Sequence, residues 1–164
     1  MLAKAKTNEK IKFLLGKFDS DCPLDLDCLC CEQDERTKGS GTLGFYDPNT
    51  RQTRICADNV VDQNRMEDTL YEELSHALQN CNKLYYQKFS DSCTQCLCKE
   101  VQAKYGAPHA MPVHPGQVDE YLEILRIDAL QSCYEHCQNK TQNEMEIAFT
   151  EAVLRCRTRD YSNE

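Results

Sequence analysis

Residues Thr69 to Cys81 read Thr-Leu-Tyr-Glu-Glu-Leu-Ser-His-Ala-Leu-Gln-Asn-Cys and carry the groups best spaced to do chemistry. They stop one residue short of His-Glu-x-x-His. In that motif two imidazoles four residues apart share one face of a helix and hold Zn²⁺, while the Glu between them serves as general base toward water. Here Glu73 keeps the general-base position and His76 the second imidazole, but Glu72 stands where the first imidazole belongs. A single histidine on a helix is more often structural than a ligand, so spacing alone does not assign a metal.

For the spacing to count, the stretch must be helical and must be held. The pattern predicts a helix that starts soon after Asp58 or Asn59 and runs past His76. Met66, Leu70, Leu74, Ala77, Leu78 and Cys81 form its apolar stripe, and Glu72 and His76 project from a different face. Just before it, Leu43 to Tyr46 and Gln52 to Cys56 flank the turn formers Asp47-Pro48-Asn49-Thr50, which predicts a short β-hairpin.

Four further segments complete the layout. Met1 to Phe18 is basic and amphipathic, with Ile11, Leu14, Leu15 and Phe18 at helical spacing. It lacks Arg and contains Glu9, so it is read as a first helix rather than a transit peptide. Asp19 to Gly41 is acidic, cysteine-rich and irregular. A third helix, Asp91 to Tyr105, includes Glu100. Pro108, Pro112 and Pro115 make residues 106–116 a loop, and its His109 and His114 have no carboxylate or thiol at ligand spacing.

The C-terminal part, residues 117–157, reads as a helix pair. Gln117 to Gln138 presents Tyr121, Leu122, Leu125, Ala129, Cys133 and Cys137, and Asn143 to Arg157 presents Met145, Phe149, Val153 and Cys156. An antiparallel pairing would let Cys156 crosslink to Cys133 or Cys137. His136 beside those two cysteines would complete a metal site only if they stayed reduced.

Twelve cysteines stand at Cys22, Cys28, Cys30, Cys31, Cys56, Cys81, Cys93, Cys96, Cys98, Cys133, Cys137 and Cys156. Such a number implies either disulfides or structural metal. Cys28-x-x-Cys31 and Cys93-x-x-Cys96 have zinc-ribbon spacing. Cys30 and Cys98 crowd the two pairs, however, and the pairs lie far apart, so disulfides are the preferred reading. The N-terminus lacks the apolar core of a secretory signal, and an oxidising compartment reached without one points to the mitochondrial intermembrane space. Cys30-Cys31 and Cys96-x-Cys98 are the candidates for a redox role instead.

Composition excludes other classes. Asp and Glu outnumber Lys and Arg by 27 to 19, a formal charge of -8 that disfavours a nucleic-acid partner. No run approaches the ~20 apolar residues of a membrane-spanning helix, so any membrane association is peripheral, through partners. One domain over 1–164 is expected.

Several segments together resemble a known family. Gly44-Phe45-Tyr46-Asp47-Pro48-Asn49-Thr50, Ile55-Cys56, Asn59, Asn64-Arg65-Met66, Glu73-Leu74, His76-Ala77 and Cys81 look like the mitochondrial ATP-synthase-processing metalloprotease family. Ile11-Lys12-Phe13-Leu14-Leu15 with Cys22, the pair Cys28 and Cys31, and Cys98-Lys99-Glu100-Val101-Gln102-Ala103 extend the likeness over residues 11–103. The resemblance implies zinc-dependent peptidases of the intermembrane space that mature a subunit of the synthase and assist its assembly.

The chain departs from that pattern at Glu72, for the first ligand His, and at Gln79, for an Asp; Glu73, His76 and Glu100 remain. Two carboxylates and one imidazole lower the net positive charge acting on water at such a site. The sequence therefore reads as an α+β, mainly helical, degenerate zincin-like domain with a small hairpin, stapled by disulfides. On this reading Glu73 is vestigial, the site Glu72, His76, Gln79 and Glu100 holds no metal, and the protein has no cofactor and is not an enzyme. It would serve as a structural or assembly subunit of a mitochondrial inner-membrane complex, ATP synthase first and a respiratory-chain complex second, with protein subunits as partners. The alternative is an active metallopeptidase of the intermembrane space with an unusual Glu-Glu-x-x-His site.

Overall fold

The computed structural model describes residues 1–34, 37–81, 88–89, 91–110 and 115–157. Contacts divide the chain into two compact units, Met1–Cys81 with Ala107–His109, and Asn82–Gly106 with Ala110–Glu164. The architecture is mainly helical with one small sheet and several disulfides, an α+β, zincin-like arrangement.

In the first unit the basic N-terminal stretch forms two helices rather than one, α1 (Leu2–Ala5) and α2 (Glu9–Leu15). The break falls at Asn8, whose side chain accepts from the Lys10 amide and caps α2. The same side chain donates to Glu67 at 2.8 Å, tying the cap to the central helix. Ile11 and Leu14 are buried and Leu15 and Phe18 half-buried, as their spacing predicts.

The expected hairpin is present as β2 (Gly44–Asp47) and β3 (Gln52–Cys56), with Tyr46 opposite Thr53. The segment expected to be irregular contributes a third strand, β1 (Asp25–Leu29), which runs parallel to β3 and makes the order β1-β3-β2. Its Asp-Leu-Asp-Cys-Leu alternates polar and apolar, but over five residues that alternation is too brief to stand out. Arg54 of β3 reaches Asp25, and this guanidinium holds the Asp25 carboxyl below its ordinary value.

The central helix α3 (Gln63–Cys81) starts later than expected, because Asp62 rather than Asp58 or Asn59 accepts from an amide of its first turn, that of Arg65. Asn59 instead donates to the Thr42 carbonyl. Asp58 accepts from the amides of Cys31 and Glu32 and from the Cys30 thiol. The predicted stripe Met66, Leu70, Leu74, Ala77 and Leu78 is buried, and α3 packs on the sheet and on α1 and α2. Each of the buried Leu and Met side chains contributes about 1.5–3 kcal/mol. Cys81 departs from the stripe: it is exposed at the helix end, where it bonds to Cys22.

The second unit is built around α4 (Ser92–Gly106), capped by Asp91, which accepts from the Thr94 amide. Around it lie α5 (Val118–Ser132), α6 (Tyr134–Cys137) and α7 (Gln142–Cys156), the last opened by a capping box between Thr141 and Glu144. The helix expected to run to Gln138 breaks at Cys133, which has φ -97 and ψ 12. The core unites Leu97, Val101, Leu125, Ala129, Phe149 and Val153 with the cysteines.

The expected bond from Cys156 to Cys133 or Cys137 is corrected: Cys156 pairs with Cys98, and Cys93 and Cys96 take Cys137 and Cys133. At about 100° per helical residue, Cys93 and Cys96 fall about 60° apart and Cys98 at least about 140° from both. The two former therefore meet α6 and its junction with α5, and the latter meets α7. With Cys31 to Cys56 and Cys22 to Cys81 in the first unit, five disulfides join residues 25 to 59 positions apart. In the chain-entropy view each such loop closure contributes roughly 3–4 kcal/mol.

Two predictions follow from the sheet and its flanking turn. Among the described residues the buried Thr53 hydroxyl has no hydrogen-bond partner. Thr53→Val removes it at constant shape and is expected to raise stability by about 1 kcal/mol, read as a higher denaturant midpoint at unchanged slope. The Glu32 amide above all, with the Cys30 thiol and Cys31 amide adding to it, pulls the Asp58 carboxyl down from 3.8 to about 2. Its anchoring is thus full above 3.8 and lost as pH falls through about 2. Amide exchange at Cys31 and Glu32, corrected for intrinsic rate, should rise over that window, and Asp58→Ala should raise it at neutral pH.

Candidate functional site

Helix α3 carries three of the four candidate site residues other than Gln79 that the sequence singles out, counting Glu73. Glu72 and His76 are four residues apart, so they stand one above the other on the same face, and both are half-buried. Glu73 lies one position round the helix and is only 8% exposed. The strand β2 runs close against this part of α3 because residue 44 is glycine. A Cβ at Gly44 would meet Thr69 Cγ2 at 2.8 Å and Glu73 Cγ at 3.1 Å. Asn80 donates to the Tyr46 hydroxyl at 2.8 Å and locks the same strand further along the helix. Burial pushes the Tyr46 phenol above its ordinary pKa.

Gln79, which replaces an expected Asp, is 1% exposed, and its Oε1 lies 2.9 Å from His76 Nδ1. An amide oxygen only accepts, so this contact is made by the tautomer with its proton on Nδ1, in which Nε2 is the nitrogen left to bind a ligand. Sequence reading treats Gln79 as a lost site residue, whereas the structure gives it the role of orienting the remaining imidazole. The i, i+3 spacing of His76 and Gln79 is the signal that could have revealed it.

Glu100 belongs to the second unit, on α4, where Thr94, Leu97, Cys98, Val101 and Gln102 are buried and Glu100 is half-buried. On α3, Glu72 and His76 offer one carboxylate oxygen and one imidazole nitrogen. Such a mixed donor set fits a divalent ion such as Zn²⁺.

The remaining candidates resolve differently. Cys31, Cys93 and Cys96 are all in disulfides, which removes the zinc-ribbon reading. The same holds for the thiols beside His136, since Cys133 and Cys137 are oxidised. Of the twelve disulfide candidates, Cys28 and Cys30 are free. The hydrogen bond to Asp58 raises the Cys30 pKa, and burial raises that of Cys28, so both are held as thiols rather than reactive thiolates. The thiol form of Cys30 and the bond of Cys31 to Cys56 count against the redox candidate Cys30-Cys31, and the bonds of Cys96 to Cys133 and Cys98 to Cys156 count against Cys96-x-Cys98.

His109, which the sequence places in a proline loop without a carboxylate or thiol at ligand spacing, is fastened to α3. Its Nε2 lies 3.0 Å from Glu67 Oε2 and its amide donates to Asp68 at 2.8 Å. Hydrogen bonds from Gln63 first, then His109 and Asn8, keep the Glu67 carboxyl low. His114 lies outside the described residues.

The family model for the Peptidase M76 family matches residues 2–113, about two thirds of the chain, including the Glu72 to His76 motif and Glu100. No curated protein and no solved structure matches the chain. The match corrects two expectations. A chain read as a non-enzyme falls in a peptidase family, and a chain read as having no cofactor falls in a metallopeptidase family while offering the donors Glu72, His76 and Glu100. The reason is physical: replacing one imidazole by a carboxylate changes the charge of a donor set without removing a donor. On a match that spans most of its length, this chain belongs to the Peptidase M76 family, the family of the mitochondrial ATP-synthase-processing metalloprotease that its sequence resembles.

Proposed function

We propose that this chain is a metal-dependent peptidase whose site is a Glu-Glu-x-x-His variant, with Glu72 and His76 of α3 as ligands, Glu100 as the further ligand that the family resemblance implies, and Glu73 as general base. The observation that carries the reading is α3 itself: it sets Glu72 and His76 on one face and holds Glu73 beside them, 8% exposed and braced by the strand at Gly44. The family match over residues 2–113 supports it.

When bound, the ion supplies Lewis acidity that polarises a peptide carbonyl and lowers the pKa of water. The residues of the chain do the rest. Gln79 accepts from His76 Nδ1–H, which fixes the tautomer and turns Nε2 to the ligand position. The Glu73 carboxylate takes a proton from the attacking water and passes it to the leaving amine, the acid–base cycle that peptide hydrolysis requires. Close packing of α3 against β2 keeps that carboxylate in place through both transfers.

The five disulfides support an oxidising location, which we take to be the intermembrane space, peripheral to the inner membrane. No helix among the described residues is long and apolar enough to cross a membrane. The family resemblance supports a subunit of an inner-membrane complex as substrate and partner, ATP synthase first.

Elemental analysis of the non-reduced protein should find about one equivalent of divalent metal, lost in His76→Ala and Glu72→Ala. Glu73→Gln should keep the metal and lose peptide cleavage by at least ~100-fold. Gln79→Leu should weaken metal binding by about 10–100-fold without unfolding the chain. Absence of metal from the folded wild type would refute the assignment. For the location, mitochondria opened at the outer membrane only should expose the chain to added protease, and cross-linking should capture it with an inner-membrane complex; a matrix-protected chain would overturn this part.

A further inference from the structure

Residues 1–18 hold five lysines, a single acid, Glu9, and no arginine, a local charge of +4 in a chain whose total is -8. The peptidase site uses none of these lysines. Helices α1 and α2 both pack on α3, which leaves their outer faces to solvent. On α2 the buried Ile11 and Leu14, with half-buried Leu15, mark the inward side. At about 100° per residue Phe13 falls about 150° from the middle of that side, with Lys10 and Lys12 on its two flanks. Phe13 is accordingly 43% exposed, and the Lys17 ammonium lies 5.1 Å from the centre of its ring. Glu9 stands one turn before Phe13 and is neutralised by Lys12 at 2.7 Å. Lys10 reaches the Ala107 carbonyl at 3.4 Å, and Lys4 and Lys6 at the end of α1 are exposed. The nearest acids are already engaged: Glu67, which Asn8 reaches, is buried, and Asp19 accepts from the amides of Asp21 and Cys22.

An exposed aromatic ring flanked by lysines is the arrangement by which a helix lies on a bilayer. The ring enters the headgroup region, the aliphatic stems of the lysines cover it, and the ammonium groups stay level with the phosphates. The choice of lysine over arginine decides between an anionic bilayer and an acidic protein. Arginine presents a rigid planar fork that suits a fixed carboxylate, and it is enriched at protein interfaces, where lysine is depleted. Point charges on flexible stems, which is what all five basic residues here are, suit a fluid surface of lipid phosphates.

We propose that the outer face of α1 and α2 docks directly on an anionic lipid surface, with Phe13 seated among the headgroups and the surrounding lysines against lipid phosphates. This contact needs neither a metal nor Glu73, so it stands independently of the peptidase reading. Each lysine brought to such a surface strengthens binding roughly fivefold. The total charge of -8 works against the attraction, so attachment is reversible and weakens as salt rises.

The test is co-sedimentation of the full, non-reduced chain with sucrose-loaded vesicles of phosphatidylcholine, alone or with about 30% phosphatidylglycerol, at about 50 to 500 mM salt. Binding to the anionic vesicles at low salt is expected, falling as salt rises, with none to the neutral ones. The triple variant Lys4→Gln, Lys6→Gln and Lys12→Gln should lower partitioning by about 100-fold. Phe13→Ser should lower it by about fivefold. Circular dichroism checks that both variants are folded. A control triple, Lys38→Gln with Arg51→Gln and Arg155→Gln, changes the net charge equally and should leave partitioning within about twofold. A wild-type chain that stays in the supernatant with anionic vesicles at low salt overturns the proposal, and so does equal binding to neutral vesicles. A control triple that loses as much as the lysine triple, or a folded Phe13→Ser variant that binds like the wild type, overturns it too. A wild type that ignores both vesicles but is retained on immobilised polyglutamate overturns it in favour of an acidic protein partner.

Discussion

A helix turns by about 100° per residue, and in α3 that constraint settles both chemistry and packing. Glu72 and His76 share a face because they are four apart, and Glu73 must sit beside them because it is next in sequence. Leu70, Leu74, Ala77 and Leu78 must then point away from the ligand face into the core. None of these placements can shift alone. A register change that moved Glu73 would also lift Leu70 and Leu74 out of the core, at several kcal/mol. The Glu73 carboxylate is held in position by the burial of Leu70, Leu74 and Ala77 beside it on the same helix.

The strand at Gly44 adds a second restraint from outside the helix. Thr69 and Glu73 are successive turns of α3, and both touch the place where a Cβ would be. The sheet can lie this close only because that side chain is absent. Asn80 and Tyr46 pin the same strand one and a half to two turns on, so α3 is clasped along the part that carries His76. Gln79 completes the arrangement from within, since its buried amide fixes the ring that the helix has already placed.

Long, periodic elements were legible in the sequence because their burial repeats. The stripe of α3, the apolar positions Leu125 and Ala129 of α5 and Phe149 and Val153 of α7 all fall where 3.6-residue periodicity puts them. What escaped was short or non-local. Strand β1 has five residues and gains its meaning from pairing with β3, which no local pattern encodes. The partner of Cys156 depended on the rotation between Cys96 and Cys98 around α4, and a view confined to the last two helices left α4 out. At the site, the loss of one imidazole was equated with the loss of metal and activity, which donor chemistry does not require and the peptidase family match overturns.

The donor set carries its own electrostatic consequence. Two carboxylates and an imidazole around a divalent ion are formally neutral, whereas two imidazoles and one carboxylate leave a net positive charge. On the proposed peptidase reading, a neutral set would pull less strongly on water, so less of the work of activation would fall to the ion and more to Glu73. This makes the restraint of Glu73 by burial and by Gly44 more consequential in this chain than in one with the full motif. The same substitution is easily borne by the fold. Glu is a better helix former than His, and residue 72 faces away from the buried stripe. Disulfides and packed apolar side chains, none of them at the ligand face of α3, hold each unit together. Residue 72 could therefore change its charge while the scaffold that positions Glu73 and His76 stayed as it was.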